Sequence, residues 1–151
     1  MNRDEIRTLF DAYFEDYNTG DYEMALNNHY TEDAVFENTR VEVRGRDNII
    51  EWFTKSHALG YKEILTPVSM VIGEDGIAVE LAQQFHALED VPNHYVSTLQ
   101  KGESIKTQGV AAVYRLRERK IASVRVYCTL SAYNPRVFGE GVTAPITENG
   151  D

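Results

Sequence analysis

Few residues of this chain could do chemistry, and their spacing is the first clue. Tyr13, Tyr30 and Asn38 belong to a run of landmarks, Tyr13, Gly20-Asp21, Tyr30, Asp33-Ala34, Phe36, Asn38 and Gly45-Arg46-Asp47, which marks where a pocket should lie. His57 falls one turn beyond Phe53 on a helical stripe and is the only obvious general base, because imidazole titrates near neutral pH. The competing reading of His57 is a helix-end histidine bonded to backbone or solvent. As core structure, Tyr13 would sit on a buried stripe and bond to Asn38 or Tyr30. Cys128 is the single cysteine, which excludes an internal disulfide and a cysteine-rich metal site. With no neighbouring base or helix N-terminus to lower its pKa, Cys128 reads as a buried, inert thiol. His86 has the opposite strand parity to Gln83 and Phe85 and falls on an outer face; His29 and His94 read as surface or loop residues, and Glu80 and Glu89-Asp90 as solvated. No two histidines or carboxylates share a spacing around the pocket, so no metal and no cofactor are expected.

The elements that must position these groups follow from periodicity. Ile6, Leu9, Phe10, Tyr13, Phe14 and Tyr17 recur at helical steps over residues 4–18, a stripe buried on one face. Asn18-Thr19-Gly20 stops that helix, and Asp21 caps a second one with Met24, Ala25 and Leu26 inward, Tyr30 at its end and a turn at Thr31-Glu32-Asp33. Residues 34–39 and 41–44 predict a hairpin, and Arg46-Asp47 opens a third helix carrying Ile49, Ile50, Phe53 and His57. Residues 62–72, 77–87, 105–116 and 121–129 predict strands, joined by turns at 73–76 and 117–120. Alternation along these strands turns one set of side chains inward. On the second strand these are Leu81, Gln83 and Phe85; on the third, Gln108, Val110, Ala112, Tyr114 and Leu116; on the last, Val124, Val126 and Cys128. They form an apolar cup with a few amides, suited to a small molecule with one or two hydrogen-bonding oxygens.

The chain has 151 residues, is 42% apolar and shows no break in composition or internal repeat, which predicts one domain over 1–130 followed by an extended arm over 131–151. A net charge of −9 disfavours nucleic acid and anionic membranes as partners. No stretch approaches the roughly 20 apolar residues of a membrane span, and the N-terminus lacks a secretory pattern, so a cytoplasmic location is expected. The segment 89–107 is longer than a tight hairpin; its stretch 91–99 is expected over or beside the cavity mouth, or at a dimer contact.

Three helices followed by a long antiparallel sheet give an α+β class in which the sheet curls around the helices. In that order, Tyr13 to Gly20-Asp21, Tyr30-x-x-Asp-Ala, Gly45-Arg46-Asp47-x-x-Ile and Val113-Tyr114-x-Leu116 before Lys120-Ile121 resemble the nuclear transport factor 2-like superfamily. That superfamily includes ketosteroid isomerase, limonene epoxide hydrolase and the SnoaL-like cyclases. The resemblance implies a cone-shaped α+β barrel, with three N-terminal helices packed in a strongly curved, mainly antiparallel sheet around an apolar cavity. It places Tyr13 at the oxyanion-hole tyrosine of the isomerases and Tyr30 at its supporting tyrosine, with Phe53 at the third. The isomerases pair that donor with a base aspartate and a protonated carboxylic acid; here those positions read Asn38 and Ala112. Asn38 also matches the asparagine that holds water in the epoxide hydrolases, whose Asp-Arg-Asp relay reads Leu81, Gln83 and Val126 here. The aspartate of the dehydratase branch aligns near Asn18. No carried-over acid–base set is therefore complete.

The function expected is a homodimeric small-molecule pocket protein, either a cofactor-free isomerase, cyclase or hydrolase, or a non-catalytic dimerisation or interaction module. In the catalytic version Tyr13 polarises a carbonyl or epoxide oxygen, Asn38 and Gln83 orient substrate or water, and His57 moves the proton. Tyr17, Tyr30, Phe36, Phe53, Leu81, Phe85, Gln108, Ala112, Tyr114, Val126 and Cys128 would line the ligand. The outer sheet face, with Gln84, His86, Arg125 and Tyr127, is the one the superfamily uses for dimers.

Overall fold

Asn2 and Glu5 open the first helix by a reciprocal cap: the Asn2 side chain accepts from the Glu5 backbone at 2.9 Å, and the Glu5 carboxylate accepts from the Asn2 backbone at 2.8 Å. In the computed structural model, which describes residues 1–92, 94 and 97–128 without the side chains of 108 and 109, this helix is α1, Arg3–Asn18. It buries Ile6, Phe10, Tyr13, Phe14 and Tyr17, the predicted stripe. Asp21 caps α2, Tyr22–His29, by accepting from Met24 N at 2.9 Å; Tyr22, Ala25 and Leu26 are buried and Met24 is half-buried.

The turn expected at 31–33 is absent. Tyr30 already has extended backbone (φ −104°, ψ 150°), and the chain runs directly into β1, Tyr30–Glu37. Of the polar residues that suggested a turn, Glu32 and Asp33 are exposed, with Asp33 paired to Arg117, and Thr31 is half-buried; the register against the neighbouring strand shifts between Tyr30 and Val35. A short β2, Glu42–Arg44, completes the hairpin, and Gly45 at φ 87° supplies the left-handed step that starts α3, Arg46–His57. Ile49 and Phe53 are buried on α3 and His57 is half-buried one turn on.

The remaining strands are β3 (Tyr61–Ile72), β4 (Gly76–Ala87), β5 (Ser104–Arg117) and β6 (Lys120–Cys128). Among the described residues, one six-stranded sheet runs in the order β2-β1-β6-β5-β4-β3, every pairing antiparallel except β1 with β6. The sheet is curled but unclosed, with β2 and β3 as its edges. The helices fill its concave side, and α1, α2, α3, β1, β4, β5 and β6 all send residues into one apolar core. Glu118 and Arg119, at φ 51° and 65°, make the two-residue β5–β6 turn, whose twist matches the strands it joins.

Between β4 and β5, Val91 and Leu99 form an isolated antiparallel bridge with bonds of 2.8 and 3.0 Å. They pack with Tyr61, Phe85 and Ala87 in a small second core. His94, expected at the surface or in a loop, lies in this loop but is buried, its ring edge-on to Phe85 and Tyr61 at 4.4 and 4.7 Å. His29 is likewise half-buried, because the α1–α2 corner brings its Nε2 to 2.7 Å from Asp16. His86 bonds Ser104 Oγ at 2.8 Å on the outer side, as its parity predicts. No described helix is long and apolar enough to cross a membrane. The arm expected over 131–151 lies outside the described residues.

Candidate functional site

The concave side of the sheet, α1 and α3 enclose a cavity of about 730 Å³. The predicted residues Tyr13, Tyr17, Tyr30, Phe36, Asn38 and Phe53 line it from the helical and hairpin side, with His57. Leu81, Gln83, Phe85, Tyr114, Val126 and Cys128 line it from the sheet. Ala112 does not: its parity is inward, but the short side chain is packed within the main core and leaves the wall to the larger Val110 and Tyr114 on either side. The side chain of Gln108 lies outside the described residues. Thr39, Arg40, Val41, Trp52, Ser56 and Leu59 join the lining without having been predicted.

Two polar clusters interrupt the apolar wall. In the first, Tyr13 Oη lies 3.0 Å from Tyr30 Oη and the Tyr114 ring packs edge-on to Tyr13 at 5.7 Å, so β5 places a third tyrosine beside this pair where Phe53 had been expected to stand in its place. Burial drives all three phenols well above their ordinary pKa, so they are neutral hydroxyls.

The second cluster sets a carboxylate beside His57, which the sequence had marked as the only obvious general base. Glu63 sits on β3 between Tyr61 and Leu65, and its side chain is only 8% exposed. Its Oε2 accepts the Tyr17 hydroxyl at 2.8 Å and lies 2.7 Å from His57 Nε2; its Oε1 accepts Gln83 Nε2 at 2.7 Å. The carboxylate takes the N–H end of the Gln83 amide, and the Thr107 hydroxyl donates to the other end, Gln83 Oε1, at 3.4 Å. His57 Nδ1 is 2.7 Å from the Phe53 carbonyl, an acceptor only, so that nitrogen carries a proton. Burial and the Glu63 charge together push the Tyr17 phenol up, leaving it a neutral donor.

Other predicted roles move. Asn38 lines the cavity, but its Oδ1 accepts from Arg40 N and Val41 N at 2.9 and 3.0 Å and thereby builds the β1–β2 turn. Asn18, at the dehydratase position, faces β3, donating to Leu65 O and accepting from Leu65 N, each at 2.8 Å. Cys128 is exposed at the cavity wall rather than buried, since β6 ends there. Desolvation by the surrounding protein, reinforced by Glu63, still pushes its thiol up, so it is not activated as a nucleophile. None of the described residues in 89–103 lines the cavity; that segment backs Tyr61 and Phe85 from outside.

Glu63 carried a sequence signal: in Tyr61-Lys62-Glu63-Ile64-Leu65 it is the one acid that shares the inward parity of two large apolar residues. A carboxylate placed there must be paired, and His57 and Gln83 were both visible as partners.

A model of the SnoaL-like domain matches residues 10–124, and the chain belongs to that family. No curated protein matches it. Among solved structures, it is similar to a provisionally assigned polyketide cyclase from Xanthomonas campestris pv. campestris, at 20% identity over 91% of this chain and 96% of that one, with a TM-score of 0.70. A protein of ketosteroid isomerase-like fold from Catenulispora acidiphila, solved with trimethylamine, matches at 18% identity over 92% and 96% of the chains, with a TM-score of 0.63. An M. tuberculosis LEH-like epoxide hydrolase matches at 12% identity over 85% of each, with a TM-score of 0.64. At these identities the likeness speaks for the fold alone.

Proposed function

We propose that this SnoaL-like protein is a cytoplasmic homodimer whose cavity holds a small, mostly apolar molecule by one of its oxygens, and that it catalyses a cofactor-free proton transfer on that molecule, as in an isomerisation, cyclisation or hydrolysis. The carrying observation is the proton count of the tyrosine cluster. The neutral hydroxyls of Tyr13 and Tyr30 hold two protons, and the bond between them uses one. Within the described residues, one O–H is left to face an acceptor in the cavity. A ketone, enone or epoxide oxygen fits that donor, and negative charge developing on it would be stabilised in a setting that excludes water.

The apolar remainder of the wall fits the body of such a molecule. The proton carrier is the coupled His57–Glu63 pair, because Asn38 Oδ1 and the Gln83 amide N–H, once expected to orient substrate, are engaged by the β1–β2 turn and by Glu63.

Native mass spectrometry of the freshly purified protein, then denaturation and identification of what is released, tests this reading. We expect one oxygenated small molecule per chain and a lower occupancy in Tyr13→Phe. A wild-type protein that is empty and also fails to bind apolar ketones would overturn it.

A further inference from the structure

We infer that Glu63 is the catalytic base of this site and that His57 is a positioning residue that never touches substrate. The inference rests on the proposed reading of the cavity and assigns the group that takes the proton.

Lone pairs decide the assignment. An ionised carboxylate can accept about four hydrogen bonds, two on each oxygen. Tyr17 and His57 occupy both positions on Oε2, and Gln83 occupies one on Oε1. The remaining acceptor position is on Oε1, and Glu63 lines the cavity. His57 has no such vacancy: Nδ1 is held by the Phe53 carbonyl and Nε2 by Glu63, both at 2.7 Å. For His57 to meet a substrate it would have to break a bond while its side chain is only 10% exposed, and that costs more than a surface bond would.

The proton balance closes without a cofactor. At rest one proton lies between Nε2 and Oε2, whichever atom carries it. When a substrate C–H next to the bound carbonyl breaks, its proton goes to Oε1 and its electron pair moves onto the carbonyl oxygen, which accepts the spare tyrosine O–H. The pair then stands as a carboxylic acid beside an imidazolium, from either starting placement. Return of the proton to the same carbon gives exchange, and to another carbon gives an isomer. Tyr17 and Gln83 hold the carboxylate in place throughout, and Thr107 holds Gln83.

The test uses 2-tetralone, an apolar enolisable ketone, in deuterated buffer with the full chain. Proton NMR reads binding from line broadening and base catalysis from deuterium uptake at the α-carbon. Wild type should bind and exchange faster than buffer. Glu63→Gln should bind equally and lose about 10²-fold or more of the enzymatic exchange rate. His57→Gln still presents an N–H donor to Glu63, so it should retain exchange with a displaced pH profile. If Glu63→Gln does not fold, Glu63→Asp keeps the charge but withdraws the oxygen; reduced exchange at unchanged binding supports the assignment. Exchange at the wild-type rate in either Glu63 variant, His57→Gln as inactive as Glu63→Gln, or binding by wild type without exchange overturns the assignment and leaves the cavity reading intact. Failure of wild type to bind the ketone at all overturns the cavity reading and this one with it.

Discussion

A histidine ring held edge-on between two aromatic side chains resists protonation, and His94 is in that position against Phe85 and Tyr61. Burial pushes its pKa down to about 4, the nearby His57 adds to the depression, and the Glu63 charge opposes it. The sign follows from comparison with the unfolded chain, where the ring titrates near its ordinary 6.5. Above that pH both states are neutral and the contribution is complete; as pH falls from 6.5 toward 4, only the unfolded state binds the proton, and stability is lost. The loss should be on the order of 1 kcal/mol per pH unit across that window. Urea titrations of wild type and His94→Leu should show a stability difference that shrinks on acidification, whereas a difference constant with pH would refute the assignment. That burial was hidden in sequence, because nothing local to a loop histidine reports which aromatics the bridge between Val91 and Leu99 will fold onto it. Glu63 is legible by parity on β3, whereas the positions the resemblance implies are Asn38, Leu81, Gln83 and Val126. The lining tyrosines were legible because each sits on a strong helical or alternating pattern.

Elements must be docked as well as formed, and the docking of α1 on β3 shows how much of that depends on one amide. Among the described residues β3 is a sheet edge and no strand pairs with the outer side of Leu65; Asn18 takes that place, donating to its carbonyl and accepting from its N–H. The adjacent Tyr17 thereby reaches Glu63, two residues from Leu65. Asn18→Ala leaves both Leu65 groups without this partner and should cost about 1–3 kcal/mol, measured by urea denaturation. A loss below about 0.5 kcal/mol, ordinary for a surface substitution, would show that the clamp carries no weight. Periodicity located every helix and strand to within a few residues, since the stripes on α1 and α3 and the alternation on β4 to β6 are local properties. The parallel pairing of β1 with β6 and the direct entry of Tyr30 into β1 are not local. They follow from which strands the curled sheet brings together, and a polar triplet such as Thr31-Glu32-Asp33 looks the same in a turn as on an exposed strand edge.

At the scale of the whole molecule, the alternation that builds the cavity also builds a surface. On β6, Val124 and Val126 face inward while Arg125 and Tyr127 face out, and Tyr127 is 48% exposed, large for an aromatic on the middle of a sheet. Gln84 and His86 on β4 stand on the same outer side, and Arg125 there is held by Glu37 of β1 through bonds of 2.6 and 2.8 Å. An ordered, partly aromatic face of this kind suits a second copy of the chain, and it is the basis of the proposed homodimer. Each chain carries a net charge of −9, so association brings two acidic bodies together and should strengthen with salt, which screens their repulsion over about 10 Å at 0.1 M. Light scattering on a gel-filtration column should give twice the 17.2 kDa chain mass, more completely at high salt than at low. Tyr127→Glu adds a charge to each side of the contact and should release a monomer that still binds the cavity ligand, because the substituted side chain points away from the cavity. A wild-type monomer at every salt concentration would remove the dimer and leave the cavity chemistry to a single chain.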